Sequence, residues 1–218
     1  MKTKERILQR TLELYNEQGV AAVSSKTLSD DLGLSQGNLA YHFPRKRDLI
    51  LTLFGRREQE IATLFEELGA AYQKHRGHPF PMFVRYIHDL TEIVRCYRFV
   101  SIDLGYLTAR YPEIAANWKR ENETMAEVTV NLFRLGVQDK YLRPEQDEGE
   151  FARIIHRMQV YLNFWVVDAG ARRYDGLGHY TDEYYASLLF EDFGRLLTDR
   201  GRQYLGEAFE AYRKEQSR

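Results

Sequence analysis

The sequence predicts an all-α protein. Its 218 residues include only five prolines, and the alternating or β-branched runs that strands need are nearly absent. Apolar residues instead recur at helical spacing along most of the chain. A hydrophobic fraction of 44% with 29% charged residues is ordinary for a globular protein with a buried core. We therefore expect a helical bundle, arranged as one large domain or two smaller ones.

The first helix is predicted over residues 3–18. Its apolar residues recur at helical spacing, and Gly19 ends it. Lys2, Lys4 and Arg6 lie before or at the start of this helix. These cations either reach a phosphate or minor groove or stay in solvent at a frayed terminus, and the sequence does not decide between the two.

Two short helices around a glycine turn are predicted next, between residues 24 and 47. Ser24 and Ser35 are placed to cap them, because a serine hydroxyl accepts a backbone N–H of the first turn. Gly33 suits the left-handed backbone of the turn between them. Pro44 disfavours helical geometry at the residue before it and so ends the second helix. Two helices joined by a short glycine-containing turn form the pattern of a helix-turn-helix.

Three consecutive cations, Arg45, Lys46 and Arg47, open a long helix that is predicted to run to Lys74. Cations at a helix N-terminus oppose its dipole, by about 0.3–1 kcal/mol each when exposed. Asp48 offsets part of this, and a bound phosphate would offset the rest. A solvated surface cluster is the simpler explanation on an arbitrary helix. Directly after a helix-turn-helix we favour contact with a nucleic-acid backbone.

The charge is unevenly distributed, although it sums to −1. Residues 1–57 contain ten Lys and Arg against six Asp and Glu, a net +4, and the remainder has 21 against 26, a net −5. The basic excess coincides with the helix-turn-helix, as expected for a DNA-facing end. The single cysteine, Cys96, fits a reducing cytosol. With no signal peptide or bilayer-length apolar stretch, we expect a cytoplasmic protein without a membrane partner.

The rest of the chain is predicted to form further helices. Breaks rich in glycine, histidine or tyrosine separate some of them, at residues 75–79 and 174–180. Two of the helices are apolar on more than one side, and we expect each to pack on its own subunit and on a partner. A central position in a monomeric core is the alternative. The predicted helices cover about residues 80–97, 99–110, 113–138, 146–173 and 182–197, with a last one after 199.

The first helix and the helix-turn-helix carry characteristic residues, including the string Gly-x-Leu-x-Tyr-His-Phe-x-x-Lys that begins at Gly37. The full set is Ile7, Leu8, Leu12, Leu14, Tyr15, Gly19, Ser24, Leu28, Gly33, Leu34, Ser35, Gly37, Asn38, Leu39, Tyr41, His42, Phe43, Pro44, Lys46 and Leu49. This set resembles the DNA-binding domain of the tetracycline-repressor (TetR) family of bacterial transcription regulators, over about residues 3–54. Ala40 departs from the family, which usually has a tyrosine there. Beyond residue 54 no family motif is recognisable.

The resemblance implies a helix-turn-helix DNA-binding domain, residues 1–48, and a larger helical effector-binding and dimerisation domain, residues 49–218. We expect Gln36, Asn38 and Tyr41 to face the groove and the cations to contact phosphates. The predicted DNA-binding residues are Ser24, Ser25, Lys26, Ser35, Gln36, Gly37, Asn38, Tyr41, His42, Arg45, Lys46 and Arg47.

The resemblance also implies a homodimer and a small-molecule effector. Two recognition helices one DNA turn apart, about 34–36 Å, would match a palindromic operator. Aromatic side chains of the body are predicted to bind the ligand, and ordinary packing in the hydrophobic core is the alternative for each of them. These residues are Tyr86, Tyr106, Tyr111, Trp118, Tyr161 and Trp165. The predicted dimer-interface residues belong to the two most apolar helices: Met158, Leu162, Trp165, Leu189, Phe193 and Leu196.

We therefore expect a DNA-binding transcriptional regulator, with repression as the expected mode, whose partners are double-stranded DNA, a second copy and a small molecule. A helix-turn-helix used only for protein contacts is the alternative, and it predicts no salt-dependent DNA affinity. A helical enzyme is not expected. The sequence has no metal-ligand spacing, no Cys–His nucleophile pair, no phosphate loop and no dinucleotide fingerprint, so no cofactor or metal is predicted.

Overall fold

A computed structural model of the protein describes residues 2–74, 80–172 and 182–216. These residues form eleven α-helices and no strand beyond one isolated bridge between Leu142 and Leu197, so the all-α prediction is confirmed. The predicted breaks at 75–79 and 174–180 lie outside the described residues. The helices are α1 (Thr3–Gln18), α2 (Ser25–Leu32), α3 (Gln36–His42), α4 (Lys46–Lys74), α5 (Phe80–Cys96), α6 (Phe99–Ile102), α7 (Leu104–Arg110), α8 (Pro112–Gln138), α9 (Glu150–Arg172), α10 (Asp182–Gly194) and α11 (Asp199–Gln216).

The helix-turn-helix forms through the caps that the sequence predicts. The Ser24 hydroxyl accepts the backbone N–H of Thr27 at 3.0 Å, and the Ser35 hydroxyl accepts that of Asn38 at 3.1 Å. Gly33 ends α2 in the left-handed conformation, with φ +64°. Each feature satisfies backbone groups that a helix end leaves unpaired, so α2 and α3 begin and end where these residues stand.

The first four helices share their hydrophobic core with the body of the protein. Ile7, Leu8 and Leu28 of α1 and α2 are fully buried in one cluster with Leu39 and Phe43. The same cluster continues into the helices that follow Cys96. These later members are Tyr97, Phe99, Val100, Leu107, Tyr111 and Ile114. The N-terminal helices therefore rest on α6, α7 and the start of α8 and do not form a free-standing unit.

Polar contacts reinforce this junction and explain a helix boundary that the sequence misplaced. The predicted single helix over 99–110 is divided at Asp103, between α6 and α7. The Asp103 carboxylate accepts the backbone N–H of Val20 at 2.6 Å. Nearby, Asn16 donates to the Cys96 carbonyl at 2.7 Å and accepts from the Phe99 N–H at 3.0 Å. These bonds hold residues 96–103 against α1 and the turn after it, and they explain why the chain bends at Asp103.

Two further helix ends differ from the expected positions. Helix α9 begins at Glu150 and not near residue 146, because Gly149 adopts a left-handed turn with φ +78° directly before it. Helix α10 ends at Gly194 because the next residues pair with another segment. There, the Arg143 N–H donates to the Leu196 carbonyl at 2.8 Å.

The second and larger core lies in the body. It joins the C-terminal half of α4, through Ile61 and Leu64, to α5 and to α8 through α11. Phe133, Phe193 and Leu196 are almost fully buried near its centre. Helix α4 therefore contributes to both cores and links the helix-turn-helix to the bundle. Among the described helices, none has both the length and the apolarity needed to cross a bilayer.

Candidate nucleic-acid interface

Helix α3 presents most of its surface to solvent. Leu39 is its one buried residue, and Phe43 directly after it is buried as well. Gln36 and Asn38 are exposed, and Tyr41 is 83% exposed. Two exposed amides and a phenol on a short, anchored helix are suited to hydrogen bonds with base edges and phosphates in a major groove.

The N-terminal ends of α2 and α3 carry other predicted residues, and these are exposed as well. Ser24 and Ser35 are exposed and cap these helices, so each has a structural role in addition to any contact with DNA. Ser25 and Lys26 in the first turn of α2 are exposed too. His42 is partly buried, with its ring edge-on to Tyr41 at 5.1 Å, which fits a supporting role.

The three cations at the start of α4 have different environments. The Arg45 side chain is 75% exposed, and its backbone N–H donates to the Asp48 carboxylate at 2.9 Å. Asp48 therefore caps α4 and partly offsets the cations near its N-terminus. Arg47 donates to Glu113 of α8, with an Nε–Oε1 distance of 3.1 Å. This hydrogen bond raises the pKa of Arg47 and ties the start of α4 to the body.

Lys46 points inward. Its ammonium donates to the Val20 carbonyl and lies 6.0 Å from the centre of the Tyr15 ring. Partial burial lowers the pKa of Lys46 from its ordinary value, while the Asp103 carboxylate acts in the opposite direction. Of the three adjacent cations, Arg45 is thus the one best placed to meet a phosphate.

An N-terminal lysine approaches the same surface. The Lys4 ammonium lies 5.6 Å from the centre of the Phe43 ring, at the C-terminal end of α3. Lys2 is exposed next to it in sequence, whereas Arg6 reaches the Leu32 carbonyl at 3.4 Å. The structure therefore places Lys4 beside the predicted DNA-binding residues, where the sequence had left contact and solvation equally open.

Sequence reasoning missed the partners that hold this surface on the body. Glu113 lies 66 residues from Arg47, and Asp103 lies 83 residues from Val20. Neither carboxylate belongs to a local motif. Only the packing of α6–α8 against the N-terminal helices brings these residues together.

The six aromatic residues predicted to bind a ligand are distributed over several environments. Tyr86 is buried in the body core, and Tyr111 is buried in the core of the N-terminal helices. Trp165 is buried in a small third cluster. The remaining three are an exposed Tyr106 and the partly buried Trp118 and Tyr161. Among the described residues the three buried members thus belong to three different clusters.

Tyr86 alone of the six lines a cavity between α5, α8 and α9. The cavity has a volume of about 10 Å³. Its wall is formed by Tyr86, Ile87, Met125, Thr129, Ile155, Met158, Gln159 and Leu162. A space of this size holds about one water molecule.

A buried ion pair joins α4 to α8. Arg57 of α4 donates to Glu121 of α8 through two hydrogen bonds of 2.7 and 2.9 Å. Their side chains are 2% and 9% exposed. The guanidinium lies 5.4 Å from the centre of the Trp118 ring, and the Glu121 charge helps to raise the pKa of Tyr86 after the larger effect of burial. The Arg57–Glu121 pair thus joins α4 to α8, and its carboxylate acts on Tyr86 of α5 through its charge and not through a hydrogen bond.

The residues predicted to form a dimer interface are buried within one protomer. Side chains that are already covered in the protomer offer no surface to a partner, so the predicted set lies on the inner side of α9 and α10. These residues are Met158, Leu162, Trp165, Leu189, Phe193 and Leu196. The exposed apolar side chains on the same two helices are Val160, Phe164, Val167 and Tyr184. Val160, Phe164 and Val167 follow one another at helical spacing, so they share one face of α9.

The chain matches two family models that together cover most of its length. Residues 7–53 match the model described as bacterial regulatory proteins of the tetR family. Residues 51–203 match the model described as a bacterial transcriptional repressor, TetR. The second match extends the resemblance into the body, where the sequence shows no recognisable motif.

Individual proteins agree with these matches. The HTH-type transcriptional regulator UidR of Escherichia coli K12 is 24% identical over 153 residues, which are 70% of this chain and 76% of UidR. A TetR-family transcriptional regulator from Marinobacter aquaeolei VT8 has the same fold, with a TM-score of 0.81 and 20% identity over 96% of this chain and 98% of that one. A transcriptional regulator from Saccharomonospora viridis, solved in complex with choline, has a TM-score of 0.64 and 15% identity over 89% and 97%.

Proposed function

Because this chain belongs to the TetR family of bacterial transcriptional regulators, we propose that it represses transcription from a palindromic operator, which it binds as a homodimer. It is a DNA-binding regulator and not an enzyme. We further propose that residues 1–48 contact DNA and that a small molecule in residues 49–218 weakens the contact. The observation that supports this most directly is α3, which is anchored by Leu39 and otherwise presented to solvent.

In this proposal the exposed side chains divide into base readers and phosphate contacts. Gln36 and Asn38 pair with base edges, because an amide can bond an adenine bidentately. Lys26 and Arg45 contact phosphates and supply salt-dependent affinity. Lys46 and Arg47 remain in the proposed interface by their position. Because Lys46 is bound to Val20 and Arg47 to Glu113, replacing either cation should weaken DNA binding less than replacing Arg45.

The dimer is proposed to form through the outer faces of α9 and α10. Val160, Phe164 and Val167 give α9 an exposed apolar stripe, and α10 carries an exposed Tyr184. Exposed apolar patches of this kind mark interaction sites. Two copies joined there would hold their two α3 helices at a fixed distance and orientation, as the two half-sites of a palindromic operator require.

Modulation by a small molecule is proposed to act through the body. Tyr86 of the cavity wall is influenced by the charge of Glu121, which is paired with Arg57 of α4, the helix that directly follows the helix-turn-helix. A ligand that binds one arrangement of these helices better than another would shift the balance between them. The choline complex of the Saccharomonospora viridis protein provides an example of a small molecule bound to this fold.

A binding titration against DNA from upstream of its own gene tests the proposal. Fluorescence anisotropy at several salt concentrations should show specific binding whose affinity falls steeply with salt. Arg45→Ala should weaken binding to all sequences and reduce the salt slope by about 1. Gln36→Ala should change the preference among sequences.

Lys119→Ala is the matched control, because Lys119 is an equally exposed cation on α8 and is not among the proposed DNA-binding residues. It should bind DNA as the parent does. Failure to bind any duplex in dilute salt would refute the DNA-binding role and support the protein-contact alternative. Equal losses in Arg45→Ala and Lys119→Ala would show that the proposed interface is wrong.

A further inference from the structure

The cavity between α5, α8 and α9 has a composition that restricts what it can bind. Five of its eight wall residues are apolar: Ile87, Met125, Ile155, Met158 and Leu162. The other three, Tyr86, Thr129 and Gln159, are polar but uncharged at neutral pH. No ionised side chain faces the cavity among the described residues, so a charged ligand would lose its hydration without gaining a counter-charge.

The Tyr86 hydroxyl is the unusual group in this wall. The residue is 3% exposed, and among the side chains that the structure describes its hydroxyl has no hydrogen-bond partner. Buried hydroxyls nearly always have a partner, so an unpaired one calls for an explanation. Burial, followed by the Glu121 charge, raises the pKa of Tyr86. The hydroxyl is therefore neutral and is available as a donor.

The other two polar wall residues each make one hydrogen bond within the protein. The Thr129 hydroxyl donates to the Met125 carbonyl at 2.8 Å, and the Gln159 amide donates to the Asn122 carbonyl at 2.6 Å. Arg57, the nearby cation, is paired with Glu121. The Gln159 amide keeps a second N–H and its carbonyl oxygen, whereas the Tyr86 hydroxyl has no partner among the described side chains. The Glu121 carboxylate, whose charge acts on Tyr86, disfavours an anion.

We propose that this cavity is the effector site and that it accepts a neutral, mainly apolar small molecule with one hydrogen-bond acceptor for the Tyr86 hydroxyl. The assignment as an effector site rests on the proposed function, whereas the ligand class rests on the wall itself. At about 10 Å³ the cavity has room for a single water molecule and must widen to admit a ligand. Met125 and Met158, on facing helices, have the unbranched, adaptable side chains that such widening requires.

Three para-substituted toluenes of similar shape test the ligand class with the full-length protein. They are p-cresol, which is neutral and has an oxygen, p-xylene, which is apolar, and p-toluate, which is an anion. Calorimetric titration should show p-cresol binding about 2- to 12-fold more tightly than p-xylene, as expected for one additional hydrogen bond. We expect p-toluate to bind more weakly than both.

Tyr86→Phe should abolish the preference for p-cresol over p-xylene. It should also raise the melting temperature of the ligand-free protein, because an unpaired buried hydroxyl is removed at nearly constant shape. Tyr204→Phe, outside the cavity wall, should leave the preference unchanged. Leu162→Phe, which adds volume to the wall, should abolish binding of both neutral probes while the protein stays folded.

Several outcomes would overturn the inference. These are no binding of p-cresol up to its solubility limit, equal binding of all three probes, or an unchanged preference in Tyr86→Phe. Operator affinity measured without any probe distinguishes failure of the proposed ligand class from failure of the proposed DNA-binding function. A protein that binds its operator but not p-cresol refutes only the ligand class. One that binds p-cresol with the expected preference but ignores DNA refutes only the proposed function.

Discussion

Replacing Arg57 by methionine should destabilise the protein by about 3–5 kcal/mol, because the change leaves the Glu121 charge buried without a partner. The Arg57 guanidinium makes two hydrogen bonds to Glu121, at 2.7 and 2.9 Å, and both side chains are almost completely buried. Methionine retains an unbranched side chain that can pack against the neighbouring Trp118 and Phe54 rings. The loss therefore reports mainly on the unpaired carboxylate.

The double variant Arg57→Met/Glu121→Leu should recover most of this loss, because replacing a buried ion pair by apolar residues is commonly neutral or stabilising. Urea unfolding followed by circular dichroism, at one protein concentration, gives the free energy of unfolding for each variant. The interaction energy then follows from the two single variants and the double variant.

Arg56→Met provides a matched control on the same helix. Arg56 binds Glu5 with the same two-bond geometry, at 2.6 and 2.7 Å, but the two side chains are 39% and 46% exposed. Solvent screening should make its loss much smaller. The reasoning is refuted if Arg57→Met costs no more than Arg56→Met. It is also refuted if the double variant is as unstable as the two single losses combined.

Three further predictions concern DNA affinity, assembly and pH. Glu113→Gln frees Arg47 and removes a negative charge, so operator affinity and its salt slope should both rise in an anisotropy titration; an unchanged slope would contradict this. Phe164→Asp should shift the protein from dimer to monomer in light scattering, whereas a persistent dimer would exclude the α9 face. Arg143 lowers the pKa of Glu150 to about 2, so this stabilisation is complete above pH 4.5 and is lost as the pH falls to about 2. Glu150→Gln should therefore unfold with a weaker pH dependence in that interval, and an identical acid transition would show that Glu150 does not contribute.

Local signals accounted for the helix-turn-helix and the long helix. The caps at Ser24 and Ser35 and the turn at Gly33 each act within a few residues, so the sequence displays them directly. The bounds of α4, Lys46–Lys74, were also predicted, because a long stretch without proline is followed by a clear break. Identification of the family depended on the same local residues.

Non-local contacts account for what the sequence did not reveal. The division at Asp103 is a consequence of its bond to Val20, and the environment of Arg47 depends on Glu113 in α8. Apolar composition on two sides of α9 correctly indicated burial but could not distinguish inner from outer residues. Phe164 and Trp165 are adjacent and both aromatic, yet one is exposed and the other is buried.

The core that α1–α4 share with α6–α8 limits how freely such regulators can exchange their DNA-reading parts. A chimera that joined residues 1–54 to the body of another regulator would separate Tyr15 from the Phe99 ring, whose centre lies 5.6 Å from that of Tyr15. The exposed surface of α3 would be transferred intact, but its support would not. Transplanted operator preference should therefore require Phe99, Leu107 and Ile114, or close substitutes for them, in the receiving body.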